Sequence, residues 1–201
     1  MHPRKSAPLG RPSATSRAEL ERHAFALFAR KGFARTTVDD IAAAAGISRR
    51  TFFRYHASKK DLVWGDFDDH LEGLRDQFAG GPATVPTMDA VRAAVVSFNR
   101  FDPREEPGHR RRMQLILRVP ELQADATLRY AAWRSVVAEF VATRTGRPAD
   151  ALLPRLVGHV VLGAALAAYE EWLDHEGADL SALLETAIRE LCNGFADGAQ
   201  G

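Results

Sequence analysis

The chain has 201 residues, 46% of them apolar, enough to fill a core in one larger domain or two small ones. Its net charge is only +1, but residues 1–64 carry 13 Lys and Arg against 5 Asp and Glu, whereas the remainder carries 14 against 21. That split excludes a uniformly charged protein and points to a nucleic-acid module joined to a body with another task. A single cysteine, Cys192, rules out an internal disulfide and fits a reducing compartment; its apolar helical surroundings read as core. The basic N-terminus is followed by no apolar segment, so no signal peptide is expected. The longest apolar run, Val160 to Tyr169, is shorter than a bilayer span. A soluble, cytoplasmic, nucleoid-associated protein with no membrane partner is expected.

Residues 1–15 are rich in Pro, Ser, Arg and Gly and read as a disordered basic arm. A helical pattern begins at once after it. Ser16-x-x-Glu19, Thr37-x-x-Asp40 and Ser58-x-x-Asp61 each place a capping hydroxyl three residues before an acid. The first precedes Leu20, Ala24, Leu27 and Phe28 and stops at Gly32. The second precedes Ile41, Ala42 and Ala45 and stops at Gly46. The third precedes Leu62, Phe67, Leu71, Leu74 and Phe78, which reads as one fourth helix ending before the Gly- and Pro-rich residues 80–87. No strand-like alternation and no repeat is present.

Residues 37–59 carry the chemistry. Gly46 supplies a sharp turn after the second helix, Ile47 pins the pair together, and Ser48 caps a short third helix. Ile47, Phe52 and Tyr55 fall on the side facing the first helix. Arg49, Arg50, Thr51, Phe53 and Arg54 are left facing outward. This is a helix-turn-helix whose second helix offers arginine forks to guanine and apolar surface to thymine methyls. Thr36 and Thr37, at a helix start, offer hydroxyls and amides to a phosphate, and Lys59 with Lys60 is placed for another. A merely solvated cationic face is the plain alternative for the arginines.

These residues resemble the N-terminal domain of TetR-family transcriptional regulators. The resemblance rests on Gly32-Phe33, Thr36-Thr37-Val38, Ile41-Ala42, Ala45-Gly46-Ile47, Phe52-Phe53-Arg54-Tyr55 and Lys59 through Leu62. It implies an all-α protein of about nine helices. A helix-turn-helix DNA-binding domain over 16–64 is followed by an effector-binding and dimerisation domain over 65–201. It also implies a homodimer on a palindromic double-stranded operator, with a small molecule in each body moving the heads apart. Phe53 departs from the tyrosine many members carry there, so a hydroxyl contact to phosphate is lost; Tyr55 replaces a common histidine and can still donate. Further stretches look like the mycofactocin-system regulators, an actinobacterial subgroup: Val63 through Asp68, Ala93 through Arg100, Leu128 through Arg134, Gly158-His159 and Gly163 through Glu170. That likeness implies control of genes for a peptide-derived redox cofactor and a long-chain acyl-CoA effector.

In the body, residues 88–101, 107–118, 120–144, 149–175 and 179–196 read as five helices. By the family pattern the last two make the dimer face. Leu156, Val160, Gly163, Ala164, Ala167 and Ala168 give a small-residue surface, and Leu180, Leu183, Leu184, Ala187, Ile188, Leu191 and Phe195 an apolar stripe. Candidate pocket residues are Phe98, Phe101, Met113, Leu117, Tyr130, Trp133, Val137 and His159, any one of which is as readily core. The run His109-Arg110-Arg111-Arg112 lies near a helix start, which favours anions. Arg110, Arg111 and Arg112 either hold effector phosphates or form an exposed face paired with Glu105, Glu106 or Glu121.

No nucleophile elbow, phosphate-binding glycine loop or zinc-helix motif is present, so no enzyme is expected. Glu171 and His175 stand four apart without a third ligand, and no metal or cofactor is expected. The reading is a repressor released by its effector, with an activator, or a sequence-tolerant binder without effector, as alternatives.

Overall fold

A computed structural model describes residues 16–195, which form ten α-helices, one 3-10 turn and no strand among the described residues. The arm expected over residues 1–15 lies outside them. The chain divides into two compact units, Met1–Leu62 and Val63–Gly201. The division falls inside the fourth helix, two residues before the boundary expected from sequence.

The first unit holds α1 (Arg17–Lys31), α2 (Val38–Ala44), α3 (Arg49–Tyr55) and the first residues of α4 (Lys59–Trp64). Its starts are capped as their sequences require. The Ser16 hydroxyl accepts from the Glu19 amide while the Glu19 carboxylate accepts from the Ser16 amide, and Thr37 with Asp40 repeats the exchange. At the third start the Ser58 hydroxyl accepts from the Asp61 amide, but Asp61 reaches past it to the amide of Ala57 at 3.1 Å. Leu20, Ala24, Leu27, Phe28, Phe33, Ile41, Phe52 and Leu62 are buried together. Gly46 takes φ +65°, the left-handed turn that lets α3 leave α2 at an angle.

The second unit holds α5 (Phe67–Gly80), α6 (Thr87–Phe98), the 3-10 turn Pro103–Glu105, α7 (Glu106–Arg118), α8 (Pro120–Thr145), α9 (Leu152–Asp174) and α10 (Leu180–Cys192). The five body helices fall within a few residues of the expected bounds. α8 and α9 pack along each other, α9 packs on α10, and α10 returns to α6. Gly158 is required at the first of these interfaces, because a Cβ there would lie 2.8 Å from the Arg134 carbonyl oxygen. By length and composition α9 could cross a membrane. Here its buried stripe, Val161, Leu162, Ala165, Ala168, Trp172 and Leu173, makes it a core helix of the body.

The single fourth helix expected from Ser58 to Phe78 is two helices. Gly65 takes φ +59°, which no continuing α-helix contains, and α5 restarts at Phe67. The extra break accounts for ten helices rather than about nine.

Candidate functional site

The first unit presents α3. Ser48 caps it, its hydroxyl accepting from the Thr51 amide at 3.1 Å. Phe52 is fully buried and fixes the helix rotation. That rotation leaves Arg49, Arg50, Phe53 and Arg54 exposed, with Thr51 and Tyr55 partly so. The Arg17 guanidinium donates to the Tyr55 carbonyl at 3.2 Å and ties α1 to the end of α3. Arg49 is held at 2.9 Å by Asp39 and lies over the Phe53 ring. Arg54 lies over the Tyr55 ring. Arg50 has no polar partner among the described residues and points outward. Below this face, Lys31 pairs with Asp40 at 2.7 Å. That bond, then the Thr37 amide, holds the Asp40 carboxyl well below the usual carboxylate range.

In the second unit, α7 turns Arg110 and Arg112 inward. The Arg110 guanidinium donates to the Trp172 carbonyl at 2.5 Å, stacks 4.1 Å from the Trp172 ring and sits 3.5 Å from Glu106. The Arg112 guanidinium donates to the Val63 carbonyl at 2.7 Å. His109 stacks on Phe101 and lies between Tyr169 and Trp172. Its Nε2 is 2.9 Å from the Tyr169 hydroxyl, which in turn donates to Asn99 Oδ1 at 2.9 Å. Because that hydroxyl proton goes to Asn99, His109 Nε2–H is the donor to Tyr169. Burial, then the charges of Arg112 and His70, push the imidazole pKa down to about 4, so it is neutral at pH 7. A second aromatic group gathers Trp64, Phe67, Phe98, Tyr130 and Trp133 through edge-to-face contacts. The Arg129 guanidinium lies 5.0 Å from the Trp64 ring and 5.7 Å from that of Phe67.

Residues 22–63 match the family model described as bacterial regulatory proteins, tetR family, and residues 85–196 match the MftR C-terminal domain. The chain is 45% identical to a Mycobacterium tuberculosis protein named as a mycofactocin biosynthesis transcriptional regulator, MftR, over 90% of this chain and 91% of that one. The chain belongs to the TetR family. Regulators of this family bind DNA operators, typically as dimers, and respond to small molecules; they are soluble, generally cytoplasmic, and not enzymes. Solved TetR-family structures share the fold. Fatty acid degradation regulator FadR from Bacillus halodurans aligns with TM-score 0.65 at 18% identity, covering 94% of this chain and 99% of that one. Thermus thermophilus FadR in complex with lauroyl-CoA aligns with TM-score 0.58 at 24% identity, covering 92% and 100%. Bacillus subtilis FadR in complex with stearoyl-CoA aligns with TM-score 0.63 at 15% identity, covering 89% and 99%.

Several expected site residues sit elsewhere in this TetR-family chain. Thr36 is fully buried, its hydroxyl donating to the Gly32 carbonyl at 2.8 Å, so it presents nothing to a phosphate. Lys59 is also turned inward. Its ammonium donates to the carbonyls of Phe33, Ala34 and Thr36 at 2.8, 3.3 and 3.0 Å and caps the Phe33 ring. Three donors are used, so Lys59 is a staple of the loop after α1 rather than an open phosphate contact. Thr37 remains exposed, its hydroxyl exchanged with Asp40.

In the body, Phe98, Tyr130 and Trp133 meet in one aromatic group, and Phe101 in the other; Met113 and Leu117 pack beside the core. Val137 is sealed in the core with no surface for a ligand. His159 is on the outward side of α9. It lines an open groove of about 380 Å³ with Arg134, Ser135, Glu139, Asp150 and Arg155, apart from the aromatic groups. Arg110 is consumed by Trp172, and Arg111 is exposed. On the expected dimer face, Leu156, Gly163 and Ala167 are exposed and Val160 and Leu191 half-buried, whereas Leu184 and Ile188 are fully buried in their own unit. His175 Nδ1 lies 3.1 Å from the exposed Glu171 carboxylate, and no cluster of three metal-ligating side chains occurs among the described residues. Sequence reasoning missed Trp64, Asn99, Arg129 and Tyr169.

Proposed function

We propose that this chain is a ligand-responsive repressor that grips a palindromic operator as a homodimer and releases it on binding a long-chain acyl-CoA. The observation that carries the DNA-binding half is the outward face of α3, where Arg50 stands without a polar partner among the described residues, next to Arg49, Thr51 and Arg54. An unspent guanidinium on a short helix held at one rotation suits the paired acceptors of a guanine edge. Arg49 is shared with Asp39 and suits a phosphate or a base only after giving up that pair. The dimer-face reading rests on the exposed positions Leu156, Gly163 and Ala167 of α9, with the half-buried Leu191 of α10 added to it. The effector assignment draws on two FadR structures solved with lauroyl-CoA and stearoyl-CoA, and on the aromatic interior of the body. The regulated genes in this reading are those of mycofactocin synthesis, after the MftR relative.

Fluorescence anisotropy of labelled DNA from upstream of the gene, at near-physiological salt, tests both halves. Tight binding that oleoyl-CoA releases and free CoA does not is the expected result. Tight binding that ignores every acyl-CoA removes the effector. Binding governed by salt alone, with no gain from a palindrome, replaces the repressor with a sequence-tolerant binder.

A further inference from the structure

The indole Nε1–H of Trp64 and the hydroxyl of Tyr130 are both buried without a hydrogen-bond partner. Trp64 is only 7% exposed, and the two rings meet edge to face with centroids 6.1 Å apart. Burial pushes the Tyr130 pKa up to about 12, so its hydroxyl keeps its proton and remains a donor. Each orphaned donor costs free energy that native proteins almost always avoid by supplying an acceptor. Among the described residues no carbonyl or carboxylate supplies one. Phe67 packs edge to face on Trp64, Phe98 on Phe67 and Trp133 on Phe98, so the aromatic group continues away from the pair, and the nearby Arg129 is engaged by Asp125, Asp68 and the Trp64 and Phe67 faces.

We infer that Trp64 and Tyr130 form a two-donor recognition point for one uncharged hydrogen-bond acceptor, a carbonyl oxygen, on an otherwise apolar ligand. Resting on the effector reading above, the acceptor is the thioester carbonyl of the acyl-CoA, with the hydrocarbon chain along the aromatic group. A neutral acceptor fits because both donors are neutral and the arginine beside them is already paired. Trp64 is also the last residue of α4, whose Val63 carbonyl is held by Arg112 and whose next residue is Gly65. A ligand that takes the indole N–H therefore bonds directly to the segment where α4 ends.

The test uses the full-length protein, its W64F and Y130F variants, oleoyl-CoA, and the thioether analogue of oleoyl-CoA that lacks the carbonyl. The readouts are the indole ¹⁵N–¹H resonance of Trp64, assigned by its loss in W64F, calorimetric affinity, and operator release. The wild type is expected to bind the thioester about tenfold more tightly than the thioether, a single well-made hydrogen bond's worth or slightly more. Each variant, folded by circular dichroism, is expected to lose most of that preference while holding the thioether as the wild type does. The Trp64 indole resonance is expected to shift with the thioester. Operator release by oleoyl-CoA with an unmoved Trp64 resonance and equal affinity for both analogues overturns the recognition point and leaves the effector standing. If oleoyl-CoA neither binds nor releases DNA, the effector reading falls. In that case a Trp64 resonance that moves with methyl oleate keeps the carbonyl point, and one that moves with neither methyl oleate nor oleyl acetate overturns it.

Discussion

Ser48-Arg49-Arg50 in the head and His109-Arg110-Arg111-Arg112 in the body are two cationic runs near helix starts, and they meet opposite fates. In α7, Arg110 and Arg112 find backbone carbonyls at Trp172 and Val63, and the Trp172 face absorbs the rest of one charge. In α3, Asp39 and the Phe53 ring answer Arg49 and the Tyr55 ring answers Arg54, leaving Arg50 outward. Residue type did not decide between them. The supply of acceptors within reach did, because a guanidinium near a positive helix terminus is stable only where carbonyls or π-faces offset it. The head therefore keeps Arg50 for an external anion, whereas the body spends Arg110 and Arg112 on its own architecture and leaves Arg111 exposed.

The largest effect that can break this contrast lies in the body. His109 is neutral because it is buried, with its pKa depressed from 6.5 to about 4. Its unfolded form takes up a proton near pH 6.5 and its folded form does not, so stability is full above that value and falls as pH drops toward 4. The loss amounts to about 3 kcal/mol at the acid end. Urea melts of the wild type at pH 7 and 4.5 should show it, and His109→Gln should flatten the difference. An unchanged slope in the variant means the imidazole is not the titrating group.

Lys59→Ala ranks next. It removes a cation bonded to three carbonyls in the head and should cost about 2 kcal/mol of stability. The folded variant should keep the wild-type salt dependence on DNA. A flatter salt slope would restore Lys59 as a phosphate contact.

Arg50→Ala should do the reverse. It should leave the melting temperature within a degree or so and weaken specific operator binding by roughly 1–3 kcal/mol. Equal affinity for the operator in variant and wild type would remove α3's outward face from recognition. The smallest effect belongs to Asp40. Its folded pKa lies below its unfolded one, so its contribution is present above pH 4 and lost as pH falls through the folded value. Asp40→Asn should make the head's melting less sensitive to acid, read by the amide resonances of Thr37 and Ile41.

The sequence carried the local features well. Capping hydroxyls, glycine stops and helical stripes depend on neighbours three or four residues away, and α1, α2, α3 and the five body helices lie where those signals put them. The break at Gly65 left a trace that periodicity alone could have caught: Leu62 to Phe67 is a step of five, which is out of phase with the steps of three and four that follow. His159 was also legible in principle, since Gly158, Val161, Leu162 and Ala165 turn inward and place it outside. Lys59 was not legible. Its acceptors are carbonyls 23 to 26 residues earlier, which no spacing rule announces. Leu184 and Ile188 failed for another reason: an apolar stripe has the same period whether it meets its own core or a second copy.

Gly65 and Arg112 have a history written into their geometry. The Arg112 guanidinium occupies the space where a Cβ on residue 65 would stand, while reaching the Val63 carbonyl. A side chain at 65 must push the arginine off that carbonyl, in addition to bearing the left-handed backbone. The two positions are therefore not free to drift separately. Among relatives, a residue other than glycine at 65 is expected to travel with something shorter than arginine at 112, and the pair marks which lineages inherited this way of ending α4.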